Sequence, residues 1–179
     1  DAGAEYAGYA ADITRTFPAS GAFSREQRAL HDLVCAAQDA ALEQARPDVP
    51  FEAMHEAAVR VLAEGMLRIG LLKGSLRKVL AEKAYQRFCP HKSGHWLGLD
   101  VHDVGEYRVD GESRLMEPGM VLTIEPGIYV PPDASGVEAK WRGIGIRIED
   151  DVAIARDGHE VLGPGLARTA DEVEAFMAD

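Results

Sequence analysis

Apolar residues recur at helical spacing in two long stretches of the chain. Leu30, Leu33, Val34, Ala37 and Ala41 fall on one helical face, Ser24-Arg25-Glu26-Gln27 places a capping box in front of them, and Pro47 closes the run. Phe51, Met54, Ala58, Val61, Leu62 and Met66 repeat the pattern up to Gly70. Both read as amphipathic helices facing a core. Residues 76–85 predict a shorter third helix and residues 171–177 a short terminal one. Elsewhere the period changes to two. Around Glu5-Tyr6-Ala7-Gly8-Tyr9, aromatic residues flank a glycine, which predicts a β-hairpin turning at Gly8 with Asp1 and Asp12 facing each other across it. Residues 121–125 and 144–149 alternate, so Thr123 and Glu125 share one face, Arg147 and Glu149 share the corresponding face of the second strand, and the isoleucines point away. Pro131-Pro132-Asp133 to Gly136 reads as an exposed loop between these strands.

Residues 88–105 follow neither period. Histidine, glycine, aspartate and tryptophan crowd together there, as they do in loops built around a site. Repeats of short period and low-complexity tracts are absent from the sequence.

At 46% hydrophobic and 27% charged, the 179 residues have the makings of one globular unit with a sizeable core. The net charge of -11 repels phosphate backbones and anionic lipid, which argues against nucleic acid and membrane as partners. No apolar stretch approaches membrane-spanning length, and the first residues resemble no signal peptide. Cys35 and Cys89 match no paired metal-site or redox spacing, so free thiols in a reducing, cytoplasmic compartment are expected, with a single disulfide the weaker alternative. The chain does not begin with Met, and we expect it to be part of a longer polypeptide.

Five side chains stand where a buried pattern calls for apolar ones: Asp1, Asp12, His95, Glu125 and Glu149. Four buried carboxylates would cost several kcal/mol apiece unless cations offset them. Two divalent ions supply the matching positive charge, and an oxygen-rich set with one imidazole favours Mn²⁺, Co²⁺, Fe²⁺ or Zn²⁺ over thiol-seeking ions.

The order of these pieces resembles a known family. Asp1-Ala2-Gly3, Asp12-Ile13-Thr14-Arg15-Thr16-Phe17, Gly94-His95-Trp96-Leu97-Gly98-Leu99-Asp100-Val101-His102-Asp103-Val104-Gly105, Glu117-Pro118-Gly119-Met120, Thr123-Ile124-Glu125-Pro126-Gly127 and Arg142-Gly143-Ile144-Gly145-Ile146-Arg147-Ile148-Glu149-Asp150 together are similar to the aminopeptidase P family across nearly the whole chain. The resemblance implies the α+β pita-bread fold, here incomplete, with residues 1–179 forming the carboxy-terminal portion of the catalytic domain. It implies hydrolysis of the bond in front of a proline in second position through a hydroxide bridging two metals, with Mn²⁺ the first choice.

Carried over by position, Asp1 and Asp12 would chelate one ion and His95 would bind the other. Glu125 and Glu149 would complete the pair, and Asp12 and Glu149 would bridge. Glu125 would also shuttle the proton. His91 and His102 match histidines close to the substrate, Arg147 would hold a ligand carboxylate, and Tyr129 and Trp96 would line the pocket. Implied partners are the peptide substrate, the missing amino-terminal part of the same enzyme and further copies in a homo-oligomer. The segment alone is expected to bind metals poorly. Two alternatives stand beside this: a prolidase, which cleaves only dipeptides, and a metal-free relative kept as a protein-binding module.

Overall fold

Ala7 and Gly8 both adopt positive φ, 52° and 84°, the two-residue turn that matches the twist of paired strands. The computed structural model describes every residue except Pro164 and Asp179. The turn joins β1 (Glu5–Tyr6) to β2 (Tyr9–Ala10), with Tyr6 opposite Tyr9. The pairing continues outward to a bridge between Ala2 and Ile13. That register sets Gly3 opposite Asp12 and Asp1 opposite Thr14. Asp1 and Asp12 therefore share a face but sit diagonally, two residue pairs out of the direct opposition expected.

Helix α1 (Arg25–Leu42) starts at the expected capping box: the Ser24 hydroxyl accepts from Gln27 N–H at 3.1 Å, and the Gln27 side chain accepts from Ser24 N–H at 2.8 Å. Helix α2 (Phe51–Arg68) packs against it. Helix α3 (Leu76–Ala81) is shorter than the periodicity predicts. Lys83 enters the left-handed region at φ 53°, and residues Ala84–Arg87 continue only as a 3₁₀ turn.

A small hairpin follows, β3 (Arg108–Val109) with β4 (Glu112–Ser113). Then come β5 (Val121–Ile124), β6 (Gly127–Val130), β7 (Ile144–Arg147), β8 (Asp150–Ala155), β9 (Gly158–Leu162) and a closing helix, α4 (Ala170–Ala178). Sequence alternation finds β5 and β7 but not β3, β4, β6, β8 or β9. Strand β6 hides behind Pro126, which reads as a terminator, and β8 behind the acidic pair Asp150-Asp151.

Strands β5 and β6 run along β8 and β7 as one long antiparallel ladder with a break, and β9 pairs with the outer edge of β8. Strand β5 pairs with β8 up to Ile124 opposite Asp150, and β6 pairs with β7 from Gly127 opposite Arg147. Both halves keep the same register, so Glu125 stands opposite Glu149 and Pro126 opposite Ile148. Pro126 has no amide proton to give the ladder. At the break the amides turn elsewhere: Glu125 N–H donates to Ser93 O at 3.0 Å, and Glu149 N–H donates to Thr14 O at 3.1 Å. The loop before β5 and the segment after β2 are thereby stitched to either side of the gap.

The core lies between the two long helices and the strands, where Leu30, Met54, Leu62, Met66, Ile124, Ile128 and Ile148 are shut off from solvent. Each such side chain contributes about 1.5–3 kcal/mol. A polar anchor crosses this layer. The buried Gln38 amide of α1 donates to Ile124 O at 3.2 Å and Asp150 Oδ2 at 2.9 Å, while Arg15 donates to Asp150 Oδ1 at 2.6 Å. Cys35 and Cys89 are buried free thiols. Among the described residues no helix is long and apolar enough to cross a membrane.

Candidate metal centre

The gap in the ladder gathers the five side chains singled out in the sequence. Antiparallel pairing brings Asp1 and Asp12 in from one side, the ladder supplies Glu149 and Glu125, and the loop before β5 brings His95 from the other side. Ligating atoms of Asp1, Asp12 and Glu149 lie within 4.8 Å of one another, as do those of His95, Glu125 and Glu149. Glu149 belongs to both groups. Asp12 is the second link between them, its Oδ2 standing 3.3 Å from His95 Nε2.

Local sequence explains why His95 points inward. Trp96 bridges Leu122 and His95 O accepts from Thr123 N–H at 2.9 Å, so this loop runs beside β5 like an extra strand. Gly94 permits the close approach: a Cβ there would sit 2.2 Å from Thr123 O. Side chains alternate along such a segment, so His95 and Trp96 face opposite ways. His95 turns to the acids. Trp96 turns to the core, 7% exposed, its ring centroid 4.5 Å from Phe51 and stacked on Tyr107. Its indole is thus committed to packing, whereas the expectation was of a side chain that lines the substrate pocket. It packs behind the loop that carries His95.

The electrostatics of the gap are unfavourable as they stand. Burial pushes the Glu149 carboxyl up to about 7, with the Thr14 hydroxyl pulling back and the charges of Glu125 and Asp12 adding to the rise. Burial also raises Glu125, opposed by His91 and His95. His95 Nδ1 lies 2.9 Å from Trp96 O, so that nitrogen carries the proton. Its buried Nε2 is left with a lone pair and no hydrogen-bond partner, aimed at Asp12 and, 3.5 Å away, Glu125. Lone pairs converging on lone pairs repel, and an orphaned buried nitrogen among carboxylates is the donor set a divalent cation satisfies. The residues fit the ions.

The remaining predicted residues ring this set. Arg147 donates from Nη2 to Asp1 and from Nε to Thr14 Oγ1 at 3.0 Å, its Nε lying 3.9 Å from Glu149. His91 lies 3.8 Å from Glu125 through Nδ1 and 2.7 Å from the Tyr129 hydroxyl through Nε2. His102, exposed, presents its ring edge-on to His95 with centroids 4.3 Å apart, near enough to Asp12 and His95 to be grouped with them. A cavity of about 540 Å³ opens beside His95, walled by Phe51, His55, Ser93 and Tyr107, with Lys92 and Arg108 on its rim sharing the Glu52 carboxylate.

Three polar residues of the site were not assigned roles from sequence. Thr14 donates to Glu149 Oε2 at 2.6 Å. Thr123 Oγ1 accepts from His95 N–H at 3.1 Å and reaches Glu125 Oε1 at 3.4 Å. Asp151 accepts the Asp12 N–H at 3.0 Å, and burial raises its carboxyl to about 6. Each lies two residues along a strand from a predicted ligand, so the alternation that placed Thr123 beside Glu125 also leads to Thr14 from Asp12 and to Asp151 from Glu149.

Known proteins similar to this chain are aminopeptidases. The Xaa-Pro aminopeptidase of Escherichia coli K12 is 47% identical over 99% of this chain, and that of Haemophilus influenzae is 42% identical over the same share. The chain spans only 40% and 41% of the length of these two curated relatives. Among solved structures, Pseudomonas aeruginosa aminopeptidase PepP superposes with a TM-score of 0.96 at 55% identity, covering 97% of this chain and 39% of that one. Zn-substituted E. coli aminopeptidase P in complex with product gives 0.93 at 46% identity, covering 97% of this chain and 39% of that one. The expected α+β pita-bread arrangement is the fold these structures share with it. The family model for metallopeptidase family M24 matches residues 1–156, and the chain belongs to that family.

Proposed function

We propose that this chain carries the catalytic metal centre of an aminopeptidase that cleaves the bond between an N-terminal residue and a following proline. The observation that supports it most is the buried His95 Nε2, left without a hydrogen-bond partner amid Asp12, Glu125 and Glu149. The names of the relatives supply the substrate class. Asp1 with Asp12 would hold one ion and His95 with Glu125 the other, with Glu149 and Asp12 shared. Mn²⁺ is our first choice for such oxygen-rich donors, ahead of Co²⁺, Fe²⁺ and Zn²⁺. When bound, two divalent ions polarise the scissile carbonyl and lower the pKa of a water molecule.

The chain's own side chains carry the proton and the charge. Glu125 takes a proton from the attacking water and delivers it to the proline nitrogen as the bond breaks. We assign His91 and His102 as donors to the carbonyl oxygen as it gains charge; His91 Nδ1 lies 2.7 Å from Lys92 O and its Nε2 2.7 Å from the Tyr129 hydroxyl, so one of these contacts would open for His91 to donate. Arg147 pins Asp1. Two buried free thiols suit a reducing, cytoplasmic setting.

The test is metal analysis of the full-length protein combined with assay of Xaa-Pro dipeptides and Xaa-Pro-Xaa tripeptides. Two ions per chain and release of the first residue from the tripeptide are expected. Cleavage of the dipeptide alone would replace this reading with a prolidase, and a protein free of both metal and activity would make it a binding module.

A further inference from the structure

Thr14 lies between two members of the acid cluster, Asp1 and Glu149. It stands opposite Asp1 in the hairpin register, and it bridges Glu149 through Thr14 N–H to Glu149 O at 3.4 Å and Glu149 N–H to Thr14 O at 3.1 Å. Asp1, Thr14 and Glu149 thus lie side by side on three neighbouring strands. The Thr14 side chain is 4% exposed, and its hydroxyl has two partners: Glu149 Oε2 at 2.6 Å and Arg147 Nε at 3.0 Å.

Chemistry fixes the direction of these bonds. A guanidinium has no acceptor, so Arg147 donates and the Thr14 oxygen accepts. The single hydroxyl proton is then committed to Glu149. The same guanidinium donates through Nη2 to Asp1. One donor chain therefore runs from Arg147 through Thr14 to Glu149, while a second arm of Arg147 reaches Asp1. A short bond to a carboxylate oxygen locks the rotation of that carboxylate, and Glu149 is the acid shared by both groups of ligating atoms.

We propose that Thr14 is a positioning residue for the metal pair: through its hydroxyl it fixes the orientation of Glu149 and the reach of Arg147 toward Asp1, and so couples the two halves of the site. The inference rests on the two-ion reading above. Without the hydroxyl, Glu149 gains a free rotation and Arg147 loses the anchor that aims it at Asp1. Ion binding should weaken where the strands themselves remain in place, because the backbone bridge between Thr14 and Glu149 needs no side chain.

The experiment is calorimetric titration of the metal-stripped full-length protein with Mn²⁺, comparing the parent with Thr14→Val, Thr14→Ser and Thr14→Ala. Valine keeps the branched shape and removes the hydroxyl. Serine keeps the hydroxyl and removes the methyl. The parent should take up two ions, Thr14→Val should bind about 10- to 100-fold more weakly, and Thr14→Ser should stay within a few-fold of the parent. Equal affinity for the parent and Thr14→Val overturns the inference while leaving the two-ion reading intact. Equal weakening in Thr14→Val and Thr14→Ser also overturns it, because the methyl rather than the hydroxyl would then matter. A parent that binds no Mn²⁺ removes the two-ion reading and this inference with it. Should Thr14→Val fail to fold, serine and alanine decide: parental affinity for serine with a 10-fold loss for alanine supports the role, and equal affinity of the two ends it.

Discussion

His95 Nε2 faces Asp12 Oδ2 across 3.3 Å with no hydrogen bond between them. The imidazole proton is committed to Trp96 O on the far side of the ring, so two acceptors confront each other in a buried space. A cation lodged between the two relieves it directly.

His95→Ala should therefore lose ion affinity by at least the 10- to 100-fold typical of disturbing the residues that merely support a ligand. Metal content after dialysis checks this. The same reasoning makes the parent's stability depend on metal: at a free Mn²⁺ concentration of about 100 times the dissociation constant of a site, unfolding should require about 2.7 kcal/mol more per bound ion than in chelator. A melting temperature indifferent to Mn²⁺ in the parent would contradict the cation reading of the cluster.

Glu125 sits opposite Glu149 at the break in the ladder, half-buried, with His91 Nδ1 3.8 Å and His95 Nε2 3.5 Å away. Glu125→Gln keeps the shape and removes the carboxylate that would carry the proton. The variant should fold as the parent does and lose about 10²- to 10⁴-fold in kcat, the usual range for a positioned acid–base group. Steady-state assay on an Xaa-Pro-Xaa tripeptide measures it, and parental turnover would remove Glu125 from the proton path.

Trp96 separates packing from substrate contact. Its indole is enclosed by Phe51 and Tyr107, and its backbone N–H donates to the Tyr107 hydroxyl at 3.1 Å. Trp96→Ala should destabilise the protein by about 3–5 kcal/mol, as deletion of large buried aromatics does. Trp96→Phe should cost far less and leave KM for the tripeptide unchanged. A raised KM with unaltered stability in Trp96→Phe would return this residue to the pocket.

How far the sequence reveals this molecule depends on where its signals are local. The capping box at Ser24 and the 3.6-residue repeats of Leu30 to Ala41 and Phe51 to Met66 are properties of single helices, and they locate α1 and α2 directly. The side chains of the acid cluster are legible because acids at apolar positions are conspicuous. Strands β6 and β8 are not legible, since Pro126 and Asp150-Asp151 look like terminators when read alone. Only the partner strand shows that the register runs on past Glu125 and Glu149. The orientation of Trp96 was equally non-local: its neighbour His95 is drawn to the acids, and alternation then sends the indole into a core made by Phe51 from a distant helix and Tyr107 from the following loop.

His55, which no part of the proposed chemistry uses, should control how the fold responds to acid. Its ring lies beneath the 540 Å³ cavity with Nδ1 3.0 Å from Ser93 Oγ. Burial lowers its pKa from 6.5 to about 4; the nearby cations Lys92, Lys83 and His91 act in the same direction, and Glu52 opposes them. Above pH 6.5 the ring is neutral in both the folded and the unfolded chain and contributes no slope. As the pH falls, the unfolded chain takes up the proton first, so stability present above about 6.5 is lost progressively until the folded pKa near 4 is passed. At about 1.4 kcal/mol per unit, the loss is bounded at about 3 kcal/mol, less whatever the water-facing part of the ring recovers. The raised carboxyls of Glu125, Glu149 and Asp151 act in the opposite sense, their repulsion easing on protonation. Those groups are common to the parent and a His55→Gln variant, so the difference between the two isolates the histidine. Urea unfolding at pH 7 and pH 5 should show the parent losing stability relative to His55→Gln on acidification. An identical change in both proteins would mean that the ring protonates as readily in the fold as out of it.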